Sequence, residues 1–457
     1  MLFGKSRILI LAVVICFISP VIRADLWSVG YYPGWEQSSM PASNIDFAAL
    51  THIIHFSLVP NADGSLNSSA NGVTTANSLD IVSRAHAAGI KVLICVGGAD
   101  SESGFQGATS NANLALFISS LTNFVATRGY DGVDVDWEPL PLSDFQQYTN
   151  LLNGLYSALS AFPQHKLLTV AAGAYPPYGD SATAEYAMYA QLQGKLDQIN
   201  IMTYDLSGPY DGWVTWFNSP IYNGNYHFPS SGGLVPSIDA SVSNFINNGV
   251  AAAKLGIGIA FYGYVWTGGS GTSTGGVTQP RQSWTTAPTV NTYSYTTIMN
   301  SYYQSNLYHW DDSAQAAYIS ITNANPAQDM FISYDDQRTC QSKISYARNR
   351  GLGGVMIWEL AQDHQSGTSD VLLETIKQAF TTPRFSGITI NTNDVTLNFS
   401  SLPLALYRIS WTGDVASGIW NTLTNNVVGN TNPVLTITDS GVLTNQMERF
   451  YRVQTPP

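Results

Sequence analysis

Between residues 25 and 380 the chain repeats one pattern eight times: a short apolar run, then in most cases a stretch with helical spacing. The runs are WSVGYY (27–32), THIIHFSLV (51–59), KVLICVGG (91–98), YDGVDVDWE (130–138), KLLTVAAGA (166–174), LDQINIMTYD (196–205), KLGIGIAFYGYVW (254–266) and GGVMIWEL (353–360). Strands that alternate with helices pair in parallel, because each helix carries the chain back to where the next strand starts. Eight such units predict a sheet closed into a (β/α)8 barrel. An open doubly wound sheet is the alternative, and the count of eight disfavours it. After Pro139, Ser143 and Gln146 form a capping-box pattern, and Phe145, Leu152, Leu155, Tyr156 and Leu159 recur at three- and four-residue steps.

Residues 267–352 are too many for one barrel connection. They open with TGGSGTSTGG and run through Tyr- and Trp-bearing segments to FISYDD, which predicts a small α+β subdomain inserted over 267–336, between the seventh and eighth strands. Past TTPRF at 381–385, ITINTNDVTLNF, LYRISW, VLTITD and RFYRVQ alternate with period two. Residues 385–457 are predicted to form a C-terminal all-β sandwich. Trp411 and Trp420 are expected in its core rather than facing a polysaccharide.

At the other end, Lys5 and Arg7 precede ILILAVVICFI, and VIRA closes on Ala24. This reads as a signal peptide over 1–24 and predicts a secreted, extracellular or periplasmic protein, free of the membrane after cleavage. Loss of Cys16 would leave Cys95 and Cys340, which make neither a disulfide framework nor a zinc site by themselves. Asp and Glu outnumber Lys and Arg by 31 to 19. With no basic cluster, nucleic acid and anionic membranes are excluded as partners. A surface rich in Ser, Thr, Asn, Gly and Tyr suits an uncharged polymer such as a polysaccharide.

Only 11% of the chain is charged, yet Asp131, Asp134, Asp136 and Glu138 fall within eight residues. In a strand, residues two apart share a face and stand about 6.6–6.8 Å apart. Asp134, Asp136 and Glu138 therefore point into the barrel and end at its C-terminal rim, where barrel enzymes keep their active sites. Val133, Val135 and Trp137 face the helices. Asp131 has the opposite parity and reads as structural. Crowding of three inward carboxyls raises at least one pKa, as a general acid requires. A calcium loop does not fit, because Pro139 and Phe145 occupy the positions that need Gly and Glu. His52 and His55 lie three apart on a strand and read as packing residues. No metal site or cofactor is expected.

DGVDVDWE resembles the D-x-x-D-x-D-x-E signature of the family-18 glycoside hydrolases, the chitinase family. GYYPGW, VGG, MTYDLSGP, FYG and GGVMIWE fall in that family's order, and YDDQRTCQSKISYARNRGLGG resembles the stretch closing its inserted subdomain. The resemblance covers most of residues 25–380. It implies a substrate-assisted mechanism in which the sugar's own acetamido group is the nucleophile. Glu138 would be the acid, Asp136 would stabilise the acetamido-derived cation, Asp134 would share its charge or proton, and Tyr204 would orient the acetamido carbonyl. Tyr31, Gly98, Met202, Asp205, Tyr210, Tyr262 and Trp358 fall at substrate-binding positions, Trp358 as the sugar platform and Tyr31 also supporting the inner aspartate.

Three residues depart from the family pattern. Cys95 stands where a serine usually supports the inner aspartate, Ala99 where a tryptophan often follows the glycines, and Tyr264 where an arginine often follows FYG. Trp213, Trp216, Trp266, Trp284 and Trp310 either lengthen a cleft or pack. The implied function is a secreted, monomeric, endo-acting chitinase whose partner is chitin or another N-acetylglucosamine polymer. An endo-β-N-acetylglucosaminidase on glycoprotein or cell-wall glycans and a chitin-binding lectin are the alternatives, and intact Glu138 argues against the lectin. The inserted subdomain is expected to deepen the cleft.

Overall fold

The computed structural model describes residues 26–454 apart from 175–179, 366, 368–369, 381–382, 384, 392, 402–405, 430–433 and 442–447. The expected signal peptide lies outside them. Eight strands, Trp27–Pro33, His52–Pro60, Lys91–Gly98, Gly132–Trp137, Leu167–Gly173, Gln198–Met202, Leu255–Ala260 and Gly354–Trp358, pair in parallel in chain order. The eighth pairs back onto the first (Ser28 beside Val355), so the sheet is a closed barrel. These strands are buried almost throughout, which is why each reads as a nearly unbroken apolar run rather than an alternating one.

Helices such as Thr75–Ala87, Leu114–Arg128, Phe145–Ser160 and Gln337–Arg350 form the outer layer. The first connection carries three 3-10 turns instead of a helix, with Pro33 and Pro41 preceding two of them. Helix Gln337–Arg350 shows how local sequence sets its ends. Asp336 accepts the Thr339 N–H at 2.7 Å, and Gly351 ends the helix at φ +67°, a conformation that glycine adopts without a Cβ clash.

The capping box expected at Ser143 does not form. A 3-10 turn, Leu142–Asp144, leads into Phe145–Ser160; Ser143 donates to Asp144 and Gln146 donates to Asn150 instead. The helix buries Tyr148, Leu151, Leu152, Leu155 and Leu159, and Tyr156 faces outward.

The single apolar run 254–266 is two strands. The barrel strand ends at Ala260, Phe261 turns the chain, and Tyr262–Thr267 enters a five-stranded antiparallel sheet. The inserted sheet therefore begins at Tyr262, earlier than its loop-rich sequence suggests. It is tied to the barrel by a buried ion pair. Lys343 Nζ donates to Asp335 Oδ2, to Ser219 Oγ at 2.5 Å and to the Gly258 carbonyl at 3.3 Å, while Asp335 Oδ2 accepts the Ala260 N–H at 3.1 Å.

Beyond the last barrel helix, two three-stranded antiparallel sheets face each other around Val395, Leu397, Phe399, Tyr407 and Ile409. Trp411 and Trp420 are not in that core. Both are partly exposed, with the guanidinium of Arg449 3.6 Å above the ring of Trp411 and that of Arg452 4.3 Å above Trp420. The strand shifts register at Ile409–Ser410, which takes Trp411 off the inward parity of Tyr407 and Ile409.

Candidate active site

The fourth barrel strand, Gly132–Trp137, places its alternate residues on two faces. Val133, Val135 and Trp137 join the core under the helices, where Trp137 stacks on Phe105 with centroids 4.5 Å apart. The other face carries Asp134 and Asp136 into the lumen, and Glu138 follows just past the strand end. Strand register sets Cys95, Asp134 and Thr169 side by side on three adjacent strands.

Asp134 is fully buried. Tyr31 Oη donates to its Oδ2 at 2.9 Å, and Thr169 Oγ1 donates to its Oδ1 at 2.5 Å. The Cys95 thiol is a third, weaker donor. Burial pushes the Asp134 carboxyl up, and these donors pull it back. Asp136 is raised well above the ordinary carboxylate range, first by burial and then by Glu138 and Asp134. Its Oδ1 is buried with no hydrogen-bond partner among the described residues. Burial also raises Glu138, helped by the nearby negative charge of Asp205. A carboxyl with a raised pKa at the open end of a cleft can donate a proton to a bound oxygen.

The cleft above these groups encloses about 620 Å³. Trp358 forms part of its floor, held edge-on by Phe56 with centroids 4.8 Å apart. Tyr204 is nearly buried, and among the described residues its hydroxyl finds only the Met356 sulfur, at 3.7 Å. Among the described residues, no three His, Cys, Asp or Glu side chains group as metal ligands would.

The profile of Glycosyl hydrolases family 18 matches residues 28–363. The chain belongs to that family. Chitinase A1 of Niallia circulans is 30% identical over 366 residues, 74% of this chain and 48% of that protein, so this family-18 chain spans about half that relative's length. The class V chitinase of Arabidopsis thaliana is 28% identical over 368 residues, 76% of this chain and 88% of that protein. Among solved structures, chitinase ChiW from Paenibacillus sp. str. FPU-7 superposes with a TM-score of 0.64 at 27% identity, over 78% of this chain and 33% of that one.

The structure brings most of the expected residues of this family-18 chain to one cleft. Tyr31, Asp136, Glu138, Met202, Tyr204, Asp205, Tyr210 and Trp358 line it. Gly98 does not. It sits buried at the end of the third strand at φ +110°, where a Cβ would meet the Phe56 ring at 2.5 Å. Tyr262 does not line it either, but stands behind Asp205 and donates to Oδ1 at 2.6 Å. Asp131 lies at the other end of the strand and holds the Val92 N–H, His86 and Lys91. His55 is locked between Gln37 and Tyr130, and burial pushes its pKa down to about 3.

Of the five uncertain tryptophans, Trp213 reaches the cleft, against Tyr210. Trp216 and Trp266 are fully buried, Trp284 packs against that cluster, and Trp310 lies under Arg338. The cleft wall beyond Asp205 comes from residues 206–236, with no lining residue from the inserted sheet, which instead backs that wall. Thr169 was missed. Its one signal was a polar residue at inward parity on an otherwise apolar strand.

Proposed function

We propose that this family-18 glycoside hydrolase is a secreted, monomeric, endo-acting chitinase that cleaves β-1,4-N-acetylglucosamine linkages with retention of configuration. The names of its relatives support the substrate class. The observation that carries the reading is the buried Oδ1 of Asp136 beneath Glu138, facing a cleft that the Tyr204 hydroxyl also lines; among the described residues the first has no partner and the second no strong acceptor. Buried polar atoms are rarely left unpaired, and an acetamido group offers one N–H and one carbonyl to satisfy both.

In the proposed reaction Glu138 gives its proton to the glycosidic oxygen as the C1–O bond breaks. The acetamido carbonyl oxygen, oriented by Tyr204, attacks C1 and forms an oxazolinium ion. Asp136 holds its N–H and stabilises the positive charge, and Asp134 supports Asp136 from below. Water then loses a proton to Glu138 and adds to C1, which opens the ring with net retention.

Chitin oligomers, cellulose oligomers and fully deacetylated chitosan test this reading, with Glu138→Gln as the control. Wild type should cut only the acetylated chain and release the β-anomer first, while Glu138→Gln should bind but not cut. Comparable cleavage of cellulose, an initial α-anomer, or a Glu138→Gln rate within tenfold of wild type would overturn it.

A further inference from the structure

Asp205 is anchored with unusual firmness for an exposed carboxylate. It sits at φ +57° just past the sixth strand, its N–H bonded to Asn218 Oδ1 at 2.9 Å. Its own Oδ1 accepts both Tyr262 Oη at 2.6 Å and Tyr264 Oη at 2.7 Å. Both donors are neutral, so they fix the group without cancelling its charge. An arginine at 264 would have done both.

The surroundings do not supply the missing cation. Asp136, Glu138 and Asp205 line the cleft, Asp100 lies near Glu138, and none of the described lining residues is Lys, Arg or His. A bound sugar bearing an ammonium group would provide the counter-charge. The sugar that reacts cannot be that one, since its C2 nitrogen must be acylated for the mechanism above. The remaining position beside Glu138 is the sugar across the scissile bond.

We propose that Asp205, held by Tyr264 without being neutralised, selects a 2-amino-2-deoxy sugar (an unacetylated glucosamine unit) on the leaving-group side. The enzyme then prefers partly deacetylated chitin, cutting where an N-acetylglucosamine is followed by a glucosamine. This rests on the chitinase reading, and one digestion separates the two. Exposed ion pairs of this kind are worth about two- to fivefold in preference.

The test digests a chitosan of mixed acetylation in mildly acidic buffer and identifies the sugar at each new chain end by mass spectrometry. The new non-reducing ends should be enriched in glucosamine about threefold over the substrate composition. The enrichment should shrink when salt rises from about 0.02 to about 0.5 M. Tyr264→Phe, which removes a hydrogen bond but adds no charge, should keep it; Tyr264→Arg and Asp205→Asn should each bring it to parity. Random or acetyl-enriched non-reducing ends from wild type, or enrichment that survives in Asp205→Asn, would overturn the inference. Unacetylated sugars at the new reducing ends would overturn the chitinase reading and this inference with it, whereas acetylated reducing ends with random non-reducing ends would overturn the inference alone.

Discussion

The Tyr31 hydroxyl reaches across the lumen from the first strand and donates to Asp134 Oδ2 at 2.9 Å, leaving Oδ1 to Thr169 on the fifth strand. Together they restrain the innermost carboxyl from two sides. The third side, where a serine would give a strong donor, has only the Cys95 thiol. Thr169 therefore carries weight that the cysteine cannot. A hydrogen bond to a charged buried group is worth about 1.5–3 kcal/mol, so Thr169→Val should lower kcat about tenfold or more, with Thr169→Ser close to wild type. Cys95→Ser should recover part of the loss in the Thr169→Val background, and alone it should leave activity equal or higher. Steady-state kinetics on a chitin oligomer would check this; an unchanged kcat in Thr169→Val contradicts it.

Glu138 is raised by burial and next by Asp205. A general acid works while protonated, so activity falls as pH rises through its pKa. Removing the negative charge at 205 lowers that pKa. The alkaline limb of the kcat profile should therefore move to lower pH in Asp205→Asn. A limb that stays put, or moves upward, would remove Asp205 from the electrostatics of the acid.

Lys343 and Asp335 lie in the joint between the seventh barrel strand and the inserted sheet, and both are buried. Lys343→Met would leave Asp335 without its counter-charge, and breaking a buried pair by removing one partner costs about 3–5 kcal/mol. Replacing both residues with apolar ones of similar volume should cost much less. Denaturant unfolding of the single and double variants would check both statements. A single variant within about 1 kcal/mol of wild type would show that water or rearrangement compensates the charge.

The C-terminal sheets have their own core, separate from the barrel's. A cavity of about 790 Å³ lies between Leu406 and Arg408 on one side and Tyr222, Arg338 and Arg348 on the other. A junction left this open contributes little to holding the barrel together. Removal of residues 385–457 should leave hydrolysis of soluble oligomers nearly unchanged. A truncated protein that is folded by circular dichroism yet inactive on oligomers would make the sandwich part of the catalytic unit.

The barrel and the row of carboxyls within it were legible along the chain, because both rest on local periodicity. A run of buried apolar residues is a strand whatever it pairs with, and period two alone puts Asp134, Asp136 and Glu138 on one face. Helix phase was less legible: Tyr148 packs inward with Leu152, Leu155 and Leu159, while Tyr156 faces outward. Only the tertiary structure decided which groups meet those carboxyls. Thr169 reaches Asp134 through the register of neighbouring strands, and Tyr31 through closure of the barrel across 103 residues of chain. Tyr262 and Tyr264 stand behind Asp205 because the chain bends at Phe261 into a second sheet. Trp411 lies outside its sandwich core past a register shift at Ile409–Ser410, and Trp420 lies just before its strand. Spacing along the chain fixes where a side chain points, and packing of distant segments fixes what it meets.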